Sequence, residues 1–372
     1  RILVFETDET KRYELNFKLD LMQRIRRDFR RSKADVLKYL AKYYPDVNDT
    51  MLEDWESQKH LEMRKIDGEK RYFANAAPNL FRLNPAAKAK KAAVDGVKPD
   101  TLDLFLAKEI PAVISEAKQT GERFVSKKRI RLDYSITVDT DAVPEGEIIR
   151  CWMPYPRETV RQKDIALKSS SETVYIIAPN STLQRSIYME KPAVKGVKTE
   201  FAFSVEYTAS PEYNDLAAYT LKLNNDTDGM KQHLGERAPH IVFTDKIKNL
   251  SAELVKPGMT DMQKVKAFYE WIDGKIPWAS ALEYSTITNI SDYCLTNMHG
   301  DCGIKTLLFM TLCRYNGIPA KWQSGWMLHP GSLNLHDWGE IYIPELGWVP
   351  VDQSFGIPKL DTEQSSYFFL GS

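Results

Sequence analysis

The segment HGDCGIKTLLFMTLCRYNGIP, residues 299–319, carries the clearest structural signal in this chain of 372 residues. Its apolar residues recur at helical spacing, and Asp301 just before them is a favoured N-cap residue. Gly317 followed by Pro319 is the usual signal for the end of a helix. The segment therefore predicts a helix that starts at Cys302 and stops before Gly317.

Two cysteines occupy this helix in different settings. At the first helical position, unpaired backbone N–H groups and the positive end of the helix dipole favour thiolate over thiol. Cys302 is therefore interpreted as a nucleophile. Cys313 lies farther along the same helix among apolar neighbours, and it is interpreted as a core residue.

A thiolate nucleophile normally needs a base, and the base needs a third group that orients it. The downstream segment NLHDWGEIYIPELGWVPVDQSFG, residues 334–356, predicts two antiparallel strands joined by a turn. His336 opens the first strand and Asp352 closes the second. A turn centred on Pro344 would set the two residues directly opposite, whereas one centred on Glu345-Leu346 would offset them, and the sequence leaves this register open.

Other histidines are weaker candidates for the base. His299 is too near the cysteine in sequence to be held independently, and His329 lies in the loop-like segment MLHPGS. His299 and Cys302 have a ligand-like spacing, but no second pair of ligands accompanies them, so no metal site is predicted.

Residues 242–356 resemble the core of the transglutaminase-like superfamily. Its pattern is Gly-x-Cys at a helix start, a helix ending in Arg, Gly, Ile and Pro, then His-x-Trp-x-Glu and Gly-Trp-x-x-x-Asp on successive strands. These motifs stand here as GDC at 300–302, RYNGIP at 314–319, HDWGE at 336–340 and GWVPVD at 347–352. The resemblance, which is to bacterial secreted members, implies a papain-like core.

The same resemblance implies a catalytic triad. Cys302 would be the acyl-accepting nucleophile, His336 the general base and acid, and Asp352 the group that orients the imidazole. The backbone N–H of Cys302 is the default oxyanion donor, and Trp278 or Gln323 could add a side-chain donor. Trp338 could line a substrate groove, together with the other tryptophans near the site, Trp322, Trp326 and Trp348.

A triad of this type defines acyl transfer through a thioester but not the acceptor. Hydrolysis of a peptide or amide bond is the less demanding outcome and is the first expectation. The alternatives are a protein-glutamine gamma-glutamyltransferase, which crosslinks proteins, and a catalytically silent binding scaffold. Crosslinking would require a site that excludes water and admits two large substrates.

No cofactor is predicted. The segment LNNDTDGMKQHLGE, residues 223–236, mimics the start of a calcium loop with Asn224, Asp226 and Asp228. Its twelfth position is Gly235, where a calcium loop needs a glutamate, so an Asn/Asp-rich turn is the preferred interpretation.

The fold class expected for the whole chain is α+β, in four segments. Residues 1–85 predict a small accessory domain of helices and a hairpin turning at Asp67-Gly68. Residues 86–126, which begin with AAKAKKAAVDGVKP, predict a linker and connecting helices. Alternating runs such as 129–138 and 201–207 predict an antiparallel β-sandwich over residues 127–215. Residues 216–372 form the predicted catalytic core.

Composition limits the partners. Lys+Arg and Asp+Glu balance at 51 each, and the basic run QRIRRDFRRSK is short, so no nucleic-acid partner is expected. The expected partner is a peptide or protein substrate.

No apolar run is long enough to span a bilayer, and four cysteines are too few for a disulfide scaffold. Because the chain opens at Arg1, a removed signal segment and an extracytoplasmic location are expected. Oligomeric state is left open.

Overall fold

A computed structural model describes residues 7–97, 99–216, 219, 228–330 and 332–372. The chain forms two compact units. The main unit combines the residues up to Lys108 with Asp215–Ser372, and the inserted unit is Glu109–Asn214. Within the described ranges, no helix is both long and apolar enough to cross a membrane. The calcium-like positions Asn224 and Asp226 lie outside the described residues.

The N-terminal part of the chain is helical around one hairpin. Its elements are α1 Glu9–Asp28, α2 Lys33–Leu40, α3 Asp49–Ser57, β1 Met63–Ile66, β2 Glu69–Tyr72, α4 Ala76–Leu83, α5 Pro85–Asp95 and α6 Thr101–Thr120. The predicted order of helix, helix and hairpin is confirmed, with Asp67 and Gly68 at φ of 52° and 86° as a two-residue turn requires. Most of the basic run lies in α1, which buries no residue.

The inserted unit contains two three-stranded antiparallel sheets. Its strands are β3 Lys128–Val138, β4 Ile148–Pro154, β5 Gln162–Ser170, β6 Ile176–Ile177, β7 Ser186–Pro192 and β8 Thr199–Ala209. The sheets have the orders β3-β8-β5 and β4-β7-β6. Phe201, Phe203 and Val205 of one sheet share an apolar cluster with Met153 and Ile187 of the other. The alternating runs of β3 and β8 therefore pair with each other, as half-buried strands should.

The C-terminal part of the main unit packs helices against a sheet. Its elements are α7 Lys231–Leu234, α8 Asp245–Leu254, α9 Asp261–Lys275, α10 Ile290–Asn297, α11 Cys302–Tyr315, β9 Ala320–His329, β10 Ser332–Ile343, β11 Gly347–Val351 and α12 Glu363–Ser366. The sheet is antiparallel with the order β11-β10-β9. The predicted capping box of Thr260 and Gln263 starts α9. Helix α11 is buried from Gly303 to Arg314, because it fills the centre of this part.

One apolar core joins the two ends of the main unit. Leu40 and Leu80 from the N-terminal helices belong to the same cluster as Phe268 and Phe309 from α9 and α11. All four side chains are fully buried. Burial of this kind stabilises by about 1.5–3 kcal/mol per large side chain. The N-terminal helices are thus part of the body that carries the predicted catalytic residues.

Candidate active site

Cys302 is the first residue of α11, as the cap signal predicted. The carboxylate of Asp301 accepts a hydrogen bond from the backbone N–H of Ile304 at 3.1 Å, which fixes the start of the helix. Cys302 is half-buried, whereas Cys313 is fully buried and confirms the core interpretation. The described residues contain only free cysteines.

Glycine is required on both sides of the cysteine. A Cβ on Gly300 would lie 2.4 Å from a side-chain carbon of Ile304, and a Cβ on Gly303 would lie 2.1 Å from the hydroxyl oxygen of Tyr284. That hydroxyl donates to Asp301 Oδ1 at 2.7 Å. The two glycines therefore let Tyr284 and Ile304 close around the helix start and hold the cap.

His336 and Asp352 form a direct hydrogen bond, with 2.5 Å between His336 Nε2 and Asp352 Oδ2. The register pairs Gly339 with Val351 and Ile343 with Gly347, so the turn is centred on Glu345. Asp352 consequently follows β11 opposite Trp338 and reaches His336 diagonally. The offset pairing is correct and the pairing centred on Pro344 is wrong.

The surroundings of His336 favour its protonated form. Burial by itself lowers the pKa of His336, but hydrogen bonds with Asp352 and Cys302 outweigh this effect and raise the pKa to about 10. The interaction with Cys302 brings the cysteine into the same group of side chains. Phe355 contacts the imidazole edge to face at 5.1 Å, and Trp338 stacks near it at 6.1 Å, so aromatic rings hold the imidazole plane.

Asp352 is itself fixed by the backbone around it. Its Oδ1 accepts hydrogen bonds from the backbone N–H groups of Ser354 at 2.9 Å and Phe355 at 3.1 Å. Its carbonyl oxygen accepts a hydrogen bond from the hydroxyl of Tyr269 at 3.1 Å. A carboxylate held in this way presents its other oxygen to His336 in one orientation.

Asp337 is a site residue that the sequence analysis missed. The thiol of Cys302 donates to Asp337 Oδ2 at an S···O distance of 3.8 Å. Burial, followed by the charge of Asp301, raises the pKa of Asp337 to about 6. The only available signal was its place next to His336 in the HDWGE motif, and nothing in that motif required a carboxylate there.

The two side-chain donors considered for the oxyanion differ in their surroundings. The amide nitrogen of Gln323 donates to Glu340 Oε2 at 2.8 Å, and Lys321 pairs with the same oxygen at 2.9 Å. The Gln323 amide is therefore already engaged in supporting a buried carboxylate. Trp278 instead pairs with Gly300 through a β-bridge and is 39% exposed.

The other candidate histidines lie apart from this group. His299 is buried against Tyr293, and burial followed by the nearby His60 lowers its pKa to about 4. His329 ends β9 and contacts the backbone carbonyl of Pro330 at 3.0 Å. His336 is thus the histidine that the structure brings to Cys302.

One comparison with known proteins, that with family models, covers the motifs. Residues 248–353 match the family model of the transglutaminase-like superfamily, which confirms the resemblance. A solved structure described as "a Putative Cysteine Protease from Cytophaga hutchinsonii" is 18% identical, with 62% of this chain and 78% of that chain covered and a TM-score of 0.48. The periplasmic domain of TgpA from Pseudomonas aeruginosa is 15% identical, with 80% and 83% covered and a TM-score of 0.33. A search of the curated proteins finds no match.

Proposed function

We propose that this chain, whose residues 248–353 are a transglutaminase-like domain, is a cysteine-dependent acyl-transfer enzyme that hydrolyses a peptide or amide bond. Cys302 is the nucleophile, His336 the general base and acid, and Asp352 the orienting carboxylate. The observation that carries the proposal is the 2.5 Å hydrogen bond between His336 and Asp352 beside a cysteine at a helix start. Fold alone would not support a reaction.

The proposed reaction uses one ring nitrogen for each task. With Nε2 bound to Asp352, Nδ1 of His336 is left to exchange protons with Cys302 and the substrate. The thiolate attacks the acyl carbon, the backbone N–H of Cys302 stabilises the oxyanion, and His336 protonates the departing amine as the C–N bond breaks. His336 then takes a proton from water, which attacks the thioester and releases a carboxylic acid and the thiol.

Partial solvent exposure at Cys302 supports water as the proposed acceptor. Cys302 is only half-buried and the neighbouring Trp278 is 39% exposed, so solvent reaches the thioester. A crosslinking enzyme must protect its thioester from water until an amine arrives. To compare water with an amine as acceptor, the protein is incubated with peptide mixtures in ¹⁸O-labelled water, with and without cadaverine. Mass spectrometry of the products then distinguishes ¹⁸O-labelled acids from cadaverine adducts.

The first test is the reactivity of the thiol. Iodoacetamide labelling at pH 6, followed by mass spectrometry, compares Cys302 with Cys151, which is also half-buried but has a pKa raised by burial. We expect fast labelling at Cys302, slowed at least tenfold by His336→Ala. Equal rates at the two cysteines, unchanged by the substitution, would support the silent scaffold instead.

The extracytoplasmic location stays part of this proposal. Its motivation is the resemblance to bacterial secreted members, and cell fractionation of the native protein tests it. Recovery of the chain in the cytoplasmic fraction would contradict it.

A further inference from the structure

An N-terminal helix reaches the loop that precedes the nucleophile. Asn79 of α4 is buried, and its side-chain amide donates to the carbonyl oxygen of Ser280 at 2.8 Å. The backbone N–H of Ser280 donates back to Asn79 Oδ1 at 3.0 Å. This reciprocal pair fixes α4 against residues 277–280, the stretch that contains Trp278.

The same helix holds a guanidinium in place over Trp278. Arg82 Nη1 donates to Asn79 Oδ1 at 3.0 Å and to Ser280 Oγ at 3.2 Å. The guanidinium carbon lies 4.9 Å from the centre of the Trp278 ring, a cation–π contact. Within the part of the chain that the structure describes, the Nε and Nη2 groups of Arg82 donate to no side chain or carbonyl. The group is thus oriented while most of its donors stay available.

The charge of Arg82 is not compensated. Two arginines of the N-terminal part have acidic partners in other segments, Arg24 with Glu283 and Arg26 with Asp67. Among the described residues no carboxylate forms an ion pair with Arg82. Partial burial lowers the pKa of Arg82, and the opposing effect comes from Tyr39 rather than from a carboxylate. A fixed guanidinium without an acid is the arrangement that a ligand carboxylate completes.

The loop that carries Trp278 pairs with the backbone just before the nucleophile. Trp278 forms a parallel β-bridge with Gly300, and the N–H of Ala279 donates to the carbonyl of Gly300 at 3.1 Å. Gly300 precedes Cys302 by two residues, so the backbone of Trp278 lies within about 12 Å of the cysteine. A substrate bound at Cys302 that extends along this loop would therefore approach Trp278 and the guanidinium over it.

We propose that Arg82 and Trp278 form a specificity subsite that binds a carboxylate of the acyl substrate. Two parallel N–H···O bonds from Arg82 would hold the carboxylate, with Trp278 covering the apolar part of the residue that carries it. The preferred substrates are then acidic peptides. The inference rests on the proposed function, because it takes Cys302 as the group that attacks. The carboxylate comes from a side chain or from a chain end, and the test separates the two.

The test uses four thiol-alkylating peptides in matched pairs. Bromoacetyl-Ala-Asp-amide and bromoacetyl-Ala-Asn-amide differ only in a side-chain charge, and bromoacetyl-Ala-Ala acid and its amide differ only in a terminal charge. Labelling rates of Cys302 are measured by mass spectrometry for the full chain, for Arg82→Met and for Arg64→Met. Arg64 is the matched control, since its guanidinium lies 5.0 Å over the ring of Phe29.

We expect one charged peptide to label Cys302 about tenfold faster than its neutral partner, which identifies the source of the carboxylate. Arg82→Met should abolish this ratio whatever its effect on the absolute rates, and Arg64→Met should preserve it. If Arg82→Met does not fold, about 1 M sodium chloride should reduce the ratio in the unmodified chain. Ratios near one for both pairs, or a ratio that survives Arg82→Met, would overturn the subsite. Slow labelling by all four peptides would instead count against the proposed function.

Discussion

The sulfur of Cys302, the proposed nucleophile, lies 3.8 Å from Asp337 Oδ2. Asp337 follows the proposed base His336 in the sequence, so its carboxyl group is within hydrogen-bonding distance of the thiol. The pKa of Asp337 is raised to about 6 by burial and by Asp301. Below this pH the carboxyl is neutral and can donate to a thiolate. Above it, the carboxylate accepts a hydrogen bond from the thiol, and its negative charge faces the sulfur.

Asp337→Asn should therefore increase the reactivity of Cys302 in a pH-dependent way. The amide cannot ionise, so the variant and the unmodified chain should label with iodoacetamide at similar rates at pH 5. Above pH 6 the variant should be about tenfold faster, because only the unmodified chain gains the opposing charge. A ratio that does not change between pH 5 and 8 would contradict this account.

Asp352→Asn should disconnect His336 from its orienting group. The amide carries no negative charge, so the pKa of His336 should fall from about 10. NMR titration of the imidazole protons measures this change. Hydrolysis should slow about a hundredfold or more. Glu345→Gln, in the exposed turn of the same hairpin, is the matched control and should change neither quantity. An unchanged His336 titration would argue against the hydrogen bond.

Asn79→Ala should loosen the loop beside the nucleophile. It removes both hydrogen bonds to Ser280 and leaves two backbone groups without partners, at a cost of about 1–3 kcal/mol in the free energy of unfolding. Hydrogen exchange of residues 277–287 should accelerate. Asn75→Ala at the N-cap of the same helix is the control, because Asn75 is exposed and its side chain makes no cap hydrogen bond. Equal exchange in both variants would show that the pair does not hold the loop.

Lys305→Met should stabilise the protein. Lys305 is 3% exposed, and no described residue forms an ion pair or hydrogen bond with its ammonium group. Burial lowers its pKa, and the charges of Asp273 and Asp352 oppose this effect only in part, so at neutral pH the unfolded chain holds the proton more favourably and stability is reduced. We expect a gain of about 1–3 kcal/mol at pH 7 that shrinks as pH rises toward the ordinary lysine pKa. Lys275→Met, on an exposed helix end, should show no such gain in chemical denaturation.

Sequence patterns predicted those parts of the site that depend on residues close together in the sequence. The cap of α11, the position of Cys302 and the hairpin that carries His336 follow from caps, periodicity and turn residues. The contact of Asp337 with Cys302 could not be predicted, because it depends on how the end of a helix meets a strand. The pairing of Asn79 with Ser280, like that of Glu62 with Tyr293 at 3.0 Å, joins residues about 200 positions apart, which no local pattern records.

The division of the chain also has a consequence for the order of folding. The main unit is built from two stretches separated in sequence by Glu109–Asn214. During synthesis, the apolar faces of Leu40 and Leu80 emerge long before α9 and α11, the helices that will cover them. Contacts of such high sequence separation close late. His336 and Asp352 leave the ribosome later still, so a nascent chain shortened before Asp352 would carry no assembled thiol site.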